Sequence, residues 1–344
     1  MKVALLTRDL PPVRVGGVAS WVDDLAQALV ADGRDVTVFA ESRSVGEGRR
    51  PYRVVSVLGR SWAQWQGTWM AAALLRHGLR DGVVVAATWR LATALVGPMA
   101  PRVLLVGAHG SDVTALSSAP PGLRRLQDRA VFVPVSRFLC GRLETLGVGR
   151  VRPMPWPLPP PPPPRVAGRA EQLVCVSRLV PGKGLDDVIR LAAVLGRPLR
   201  VVGDGPAQSS AQDLAEKLGV AVSWRGACHR DVARAELAQA AAAVLLPDGP
   251  EGLGLCLLEA AAAGTPTIGR ASGGTPEAVG PGVVLPAGVP ISELDLTAVH
   301  RLLSDPSAGV QARRWVDATH NRQLALRTFD AAVSQAQEER GCGS

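Results

Sequence analysis

Cysteine is sparse and unpatterned in this chain. Cys140, Cys175, Cys228, Cys256 and Cys342 lie far apart, are odd in number and contain no C-x-x-C pair. That excludes a zinc ribbon and a disulfide framework, and reads as reduced thiols in a cytoplasmic protein. Long apolar runs are also missing. Nothing approaches the ~18 apolar residues of a membrane span. The opening MKVALLTRDL meets charge and Pro11-Pro12 too early for a secretory leader. No Asp-x-Asp cluster asks for a metal, so neither a metal nor another cofactor is required. The formal net charge is +8, yet the basic residues are scattered. Without a basic block or a recognisable module, nucleic acid is excluded as a partner. Small phosphate-bearing molecules fit such a charge balance better, and peripheral contact with an anionic membrane stays open.

What is present is a globular composition, 47% hydrophobic and 20% charged over 344 residues, a length that suits two domains. The first half alternates short apolar runs with helical patterns. Strands are predicted at 3–7, 36–40, 52–57, 82–87, 103–106 and 131–135, and helices at 18–31, 62–79, 90–96 and 137–146. The second half repeats the rhythm, with strands at 173–177, 199–202, 221–224, 244–246 and 265–268 and helices at 184–195, 207–218, 232–242 and 255–263. Such alternation implies parallel sheets covered by helices. A proline-rich stretch between the halves favours extended geometry and reads as a semi-rigid linker. The expected division is an N-terminal domain over 1–152, a linker over 153–165, a C-terminal domain over 166–319 and a helix over 320–344 that can pack back on the first domain. Trp62, Trp65 and Trp69 fall on one predicted helical face, which serves as core, acceptor platform or membrane contact.

The chemistry concentrates in the second half. Arg178 and Lys183 sit in S-R-L-V-P-G-K-G, between a strand and a helix start, where both cations and free helix N–H groups suit a diphosphate. Gly203 and Gly205 follow the next strand in G-D-G-P, a composition that lets backbone approach a ligand but is equally that of an ordinary turn. Glu251 and Glu259 are separated by seven intervening residues in E-G-L-G-L-C-L-L-E. Glu251 lies in a glycine-rich loop, and Glu259 about one turn into an otherwise apolar helix. A carboxylate there needs a partner, because burying it alone is costly. Vicinal hydroxyls, as on a ribose, are natural ones.

Taken together, R-x4-K, G-D-G-P, E-x7-E and the later G-G-T-P-E at Gly273–Glu277 resemble the retaining glycosyltransferases of family 4. The resemblance implies an α/β fold of the GT-B type, two Rossmann-like doubly wound domains facing a central cleft. It implies that Arg178 and Lys183 hold a donor diphosphate, that Glu251 bonds the donor sugar and Glu259 the ribose, and that Gly254 and Leu255 offer backbone N–H groups. The first half is similar more loosely. P-P-x4-G-G at Pro11–Gly17 resembles the family's donor-phosphate loop, with Gly16 and Gly17 at the helix entry. His109 in H-G-S-D resembles the family's histidine near the reacting sugar, with Asp112 beside it as an acceptor-side contact. Arg137, opening a helix after Val135-Ser136, resembles a leaving-phosphate contact. The proline run replaces the family's usual interdomain turn, and Leu253 replaces its usual Phe.

The expected activity is transfer of a sugar from a nucleotide-sugar donor, uridine-linked by preference, to a small-molecule or lipid-linked hydroxyl acceptor. By resemblance it proceeds with retention through front-face substitution. Two other readings remain at this point: a nucleotide-sugar epimerase on the same fold, which needs no acceptor, and a non-catalytic nucleotide-sugar-binding partner of another enzyme.

Overall fold

The computed structural model describes residues 1–11, 16–41, 50–57, 66–79, 81–97, 100–161 and 171–341. The chain forms two compact units, Met1–Pro159 with His320–Ser344, and Pro160–Thr319.

The first unit runs β1 (Lys2–Leu6), α1 (Gly17–Ala31), β2 (Asp35–Glu41), β3 (Arg53–Val57), α2 (Gln66–Arg76), β4 (Val83–Ala86), α3 (Trp89–Ala92), β5 (Val103–Ala108), α4 (Ser111–Thr114), α5 (Pro121–Arg124), β6 (Val131–Pro134) and α6 (Arg137–Thr145). Its sheet is parallel throughout, ordered β3-β2-β1-β4-β5-β6. Strands β4, β5 and β6 are buried at every position, as unbroken valine- and leucine-rich runs covered on both faces must be. The edge strand β3 is largely open. The expected helix over 62–79 is seen as α2. Trp62 and Trp65, and the side chain of Trp69, lie outside the described residues.

The second unit follows with β7 (Leu173–Val176), α7 (Leu185–Leu195), β8 (Leu199–Val202), α8 (Gln208–Lys217), β9 (Val222–Trp224), α9 (Arg230–Gln239), β10 (Ala242–Leu245), α10 (Leu255–Ala262), β11 (Thr267–Arg270), α11 (Thr275–Val279), β12 (Val283–Leu285), α12 (Thr297–Ser304) and α13 (Ala308–Thr319). Its sheet order, β12-β11-β10-β7-β8-β9, is the same doubly wound pattern read from the other edge. The core lies where α7 buries Leu185, Val188, Ile189, Leu191 and Ala192 against Leu173, Val201 and Val244 of the sheet. The spacing of those α7 residues is that of one helical face.

The last helix, α14 (Arg322–Gly341), returns to the first unit and packs on β5, β6 and α1. Arg34 holds it by a two-pronged bond to Asp330, 3.0 Å on each prong. Residues 153–159, expected as linker, are instead packed in the first unit. Met154, Trp156 and Leu158 are buried, the Met154 N–H bonds to the Pro134 carbonyl, and the Trp156 indole N–H donates to Asp24 at 2.8 Å. Apolar residues alternating with proline on an extended backbone present one continuous face to bury. No helix among the described residues is long and apolar enough to cross a membrane.

Candidate functional site

In both sheets the winding direction reverses at the pair of strands flanking the centre, and ligands of such sheets sit outside the strands' carboxyl ends there. In the second unit that pair is β7 and β10. The Arg178–Gly184 loop follows β7, and the loop carrying Asp248 and Glu251 follows β10.

The two loops are locked together. The Asp248 N–H donates to the Gly182 carbonyl at 3.2 Å. Gly184 closes against the end of β10 with φ +68°, and a Cβ there would lie 1.5 Å from the Leu246 carbonyl oxygen, so no other residue fits. The result is a direct bond from the Lys183 ammonium to the Glu251 carboxylate, both side chains being about one-fifth exposed. Arg178 is exposed at the mouth of β7, and its side chain has no ionic or hydrogen-bonding partner among the described residues.

G-D-G-P backs this loop. A Cβ on Gly203 would strike the Ser177 carbonyl and one on Gly205 the Leu179 carbonyl, at 1.8 and 2.2 Å. Leu179 completes the contact by donating to the Asp204 carbonyl at 2.9 Å. These glycines thus carry the turn that supports Arg178. G-G-T-P-E plays the equivalent part for Glu251. The Gly274 N–H donates to the Glu251 carbonyl at 2.8 Å, and the Ser272 hydroxyl to the Gly249 carbonyl at 2.6 Å. Gly254, with φ +94°, opens α10, so Leu255 lies in the helix's first turn among its unsatisfied N–H groups. Glu259 is buried further along α10 and is bonded to Arg230, Nε to Oε1 2.6 Å, rather than to the Lys183–Glu251 pair. Cys256 lies among these groups. Burial pushes its thiol well up, the charges of Glu259 and Glu251 add to that, and Lys183 opposes it.

Gly16, Gly17, His109, Asp112 and Arg137 belong to the first unit. Gly16 and Gly17 begin α1, but Pro12–Val15 lie outside the described residues. Arg137 is the first residue of α6, whose N-cap Ser136 accepts from the Leu139 N–H. His109 follows β5 and stacks edge-on against Trp21 of α1, ring centroids 4.7 Å apart. Both its ring nitrogens are buried without a well-formed hydrogen bond. Burial pulls its pKa down to about 4, against the Ala87 carbonyl, so the ring is neutral near pH 7. Asp112 Oδ1 accepts from the Gly110 and His109 N–H groups at 2.8 and 3.2 Å, while Oδ2 is buried without a partner.

The family model for group 1 glycosyl transferases matches residues 163–313. A GDP-mannose-dependent alpha-(1-6)-phosphatidylinositol monomannoside mannosyltransferase of Mycolicibacterium smegmatis is 32% identical over 90% of this chain and 92% of its own length. The chain belongs to the group 1 glycosyltransferases. A glycogen synthase of Mycobacterium tuberculosis is a more distant relative of this glycosyltransferase, 29% identical over 96% of this chain and 91% of its own. The Anabaena protein HepE, crystallised with UDP-glucose, shares the GT-B fold with a TM-score of 0.76 at 15% identity, covering 97% of this chain and all of its own.

Sequence reasoning passed over three residues of this glycosyltransferase. Trp21 orients His109 and lay unremarked in an apolar helix face. Arg230 was hidden by distance, 29 residues before its partner Glu259. Arg270 ends β11 almost fully buried and donates to Asp187 of α7 at 2.6 Å, to Asp248 at 3.0 Å and to the Leu246 carbonyl at 3.3 Å. The signal was available: an arginine closing the apolar strand T-I-G-R must either be exposed or find acids.

Asp112 gives the glycosyltransferase a pH signature. Burial raises its carboxyl to about 6, although the Gly110 and His109 N–H bonds work the other way. A raised acid contributes stability below its unfolded value of ~3.9, and that contribution is lost as pH rises through 6. His109 has the opposite sign, its contribution being present above ~6.5 and lost as pH falls through 4. Asp112→Asn should therefore be more stable than wild type at pH 8 by about 1–2 kcal/mol, with the gap closing near pH 4. Urea midpoints across that range check it, and a gap that widens towards acid would contradict it.

Proposed function

We propose that this glycosyltransferase moves a hexose, with retention of configuration, from a guanosine diphosphate-linked donor to a hydroxyl of a lipid-linked acceptor. The observation that carries the reading is the Lys183–Glu251 pair, which joins the two loops at the centre of the second unit's sheet. The base moves from the uridine of the sequence reading to guanosine because the mycolicibacterial relative is named for GDP-mannose, and the acceptor class follows its name likewise.

In this reading Arg178 and Lys183 bind the diphosphate. The donor enters by exchanging the Lys183–Glu251 bond for two others, phosphate on the ammonium and sugar hydroxyls on the carboxylate. As the bond from the anomeric carbon to the phosphate oxygen breaks, negative charge grows on the diphosphate, where the two cations stabilise it. The acceptor oxygen bonds the same face of that carbon, and its proton passes to the departing phosphate oxygen. Glu251 positions the sugar and is not a nucleophile. Glu259 accepts the ribose hydroxyls. Acceptor recognition is assigned to the first unit, with neutral His109 and Arg137 as its polar groups. The two cations carry the leaving-group charge without a metal.

The test is incubation of GDP-mannose, with UDP-glucose in parallel, with mannosylated phosphatidylinositol and related lipid acceptors, with and without EDTA. We expect GDP release coupled to an α-linked product, unchanged by the chelator. A β-linked product would overturn retention. Isomerised donor in the absence of acceptor would establish epimerase chemistry instead.

A further inference from the structure

Arg230 is the first residue of α9, where the helix dipole disfavours a cation and an acid is the usual occupant. Its position is therefore not explained by its own helix. Its Nε donates to Glu259 Oε1 at 2.6 Å, and the two side chains are only 12% and 6% exposed. Glu259 is in turn out of place on α10, surrounded in sequence by Leu257, Leu258, Ala260 and Ala261, all buried. Each charge is costly where it sits, and each is made tolerable by the other.

We propose that Arg230 is a positioning residue for the nucleoside end of the donor site. Through its bond to Oε1 it fixes the plane of the Glu259 carboxylate, so that the group is set to accept two vicinal ribose hydroxyls. This inference rests on the ribose role given to Glu259 above. Without Arg230 the carboxylate loses the bond that sets its plane. It then no longer distinguishes a ribose from a sugar lacking those hydroxyls. A purely structural staple between α9 and α10 behaves differently, since its loss weakens every nucleotide alike.

The experiment is calorimetric titration of wild type, Arg230→Ala and Arg230→Lys with GDP and 2′,3′-dideoxy-GDP, and with UDP and 2′,3′-dideoxy-UDP as a second pair. Circular dichroism monitors folding. Wild type should prefer the ribonucleotide about 30-fold, the scale of charge-assisted hydrogen bonds to two hydroxyls. Arg230→Ala should lower ribonucleotide affinity about tenfold and reduce the preference below about threefold, and Arg230→Lys should keep most of it. If alanine destroys the fold, Arg230→Gln carries the same comparison. A variant that binds both nucleotides more weakly by one common factor, preference intact, would overturn the Arg230 proposal alone. A wild-type protein indifferent to the missing hydroxyls would overturn the ribose role of Glu259, and this proposal with it.

Discussion

Lys183→Ala and Glu251→Ala are each expected to lower sugar transfer by about 10²–10³-fold, the usual cost of removing one group that meets developing charge or fixes the reacting sugar. Each is expected to leave the protein folded, because both side chains reach solvent and neither belongs to the hydrophobic core. The two losses should add at least in full. The donor parts the pair and each group then meets a different part of it, so the double variant should be worse than either single one by about the other's whole factor. Product formation from labelled donor, beside a thermal melt of each variant, measures this. Wild-type turnover in both single variants would remove the site assignment.

Arg270→Ala should act first on stability. The guanidinium side chain is 5% exposed and ties the first turn of α7 to the loop after β10, the two segments flanking Lys183 and Glu251. Removing one member of a buried ionic cluster leaves the others uncompensated, which costs about 2–4 kcal/mol here, since Asp187 and Asp248 keep some access to water. Arg270→Lys should recover only part of this, because an ammonium cannot fork to two carboxylates. The deficit of the alanine variant should shrink as pH falls. Asp248 is already raised by burial and by the Asp187 charge, with Arg270 holding it down, so losing Arg270 makes protonation the remaining way to relieve the repulsion. Denaturant midpoints at pH 8 and pH 5 test both parts. A deficit that grows towards acid would contradict the account.

Much of the fold could be read because its strands are nearly continuous apolar runs and its helices carry a clear periodicity. The strand over 199–202 was placed at its true limits, and α7 within one residue. The reading failed where tertiary pairing outweighed local preference. The alanines at 240–242 were assigned to the end of a helix, yet Ala242 pairs with Leu173 inside the sheet. The three-residue strand β12 and the one-turn helices α4 and α5 have no periodicity long enough to detect.

At the site, the side chains of R-x4-K and E-x7-E could be named because a charge in a glycine-rich or apolar stretch stands out. The meeting of Lys183 with Glu251 is a property of sheet order, which brings β10 beside β7 across 68 residues of sequence. The glycine motifs were legible as motifs, but Gly203 and Gly273 chiefly let one loop press on another's backbone, at Ser177 and Glu251. No sequence pattern tells such an approach from an approach to a ligand.

In the proposed function one nucleotide-sugar site is built from the loops after β7 and β10. A crystal structure of the protein with a hydrolysis-resistant nucleotide sugar tests it most directly. Diphosphate oxygens are expected within ion-pair reach of both Arg178 and Lys183, with the sugar's hydroxyls on Glu251. A donor bound with its diphosphate away from those cations, the Lys183–Glu251 bond undisturbed, would contradict it.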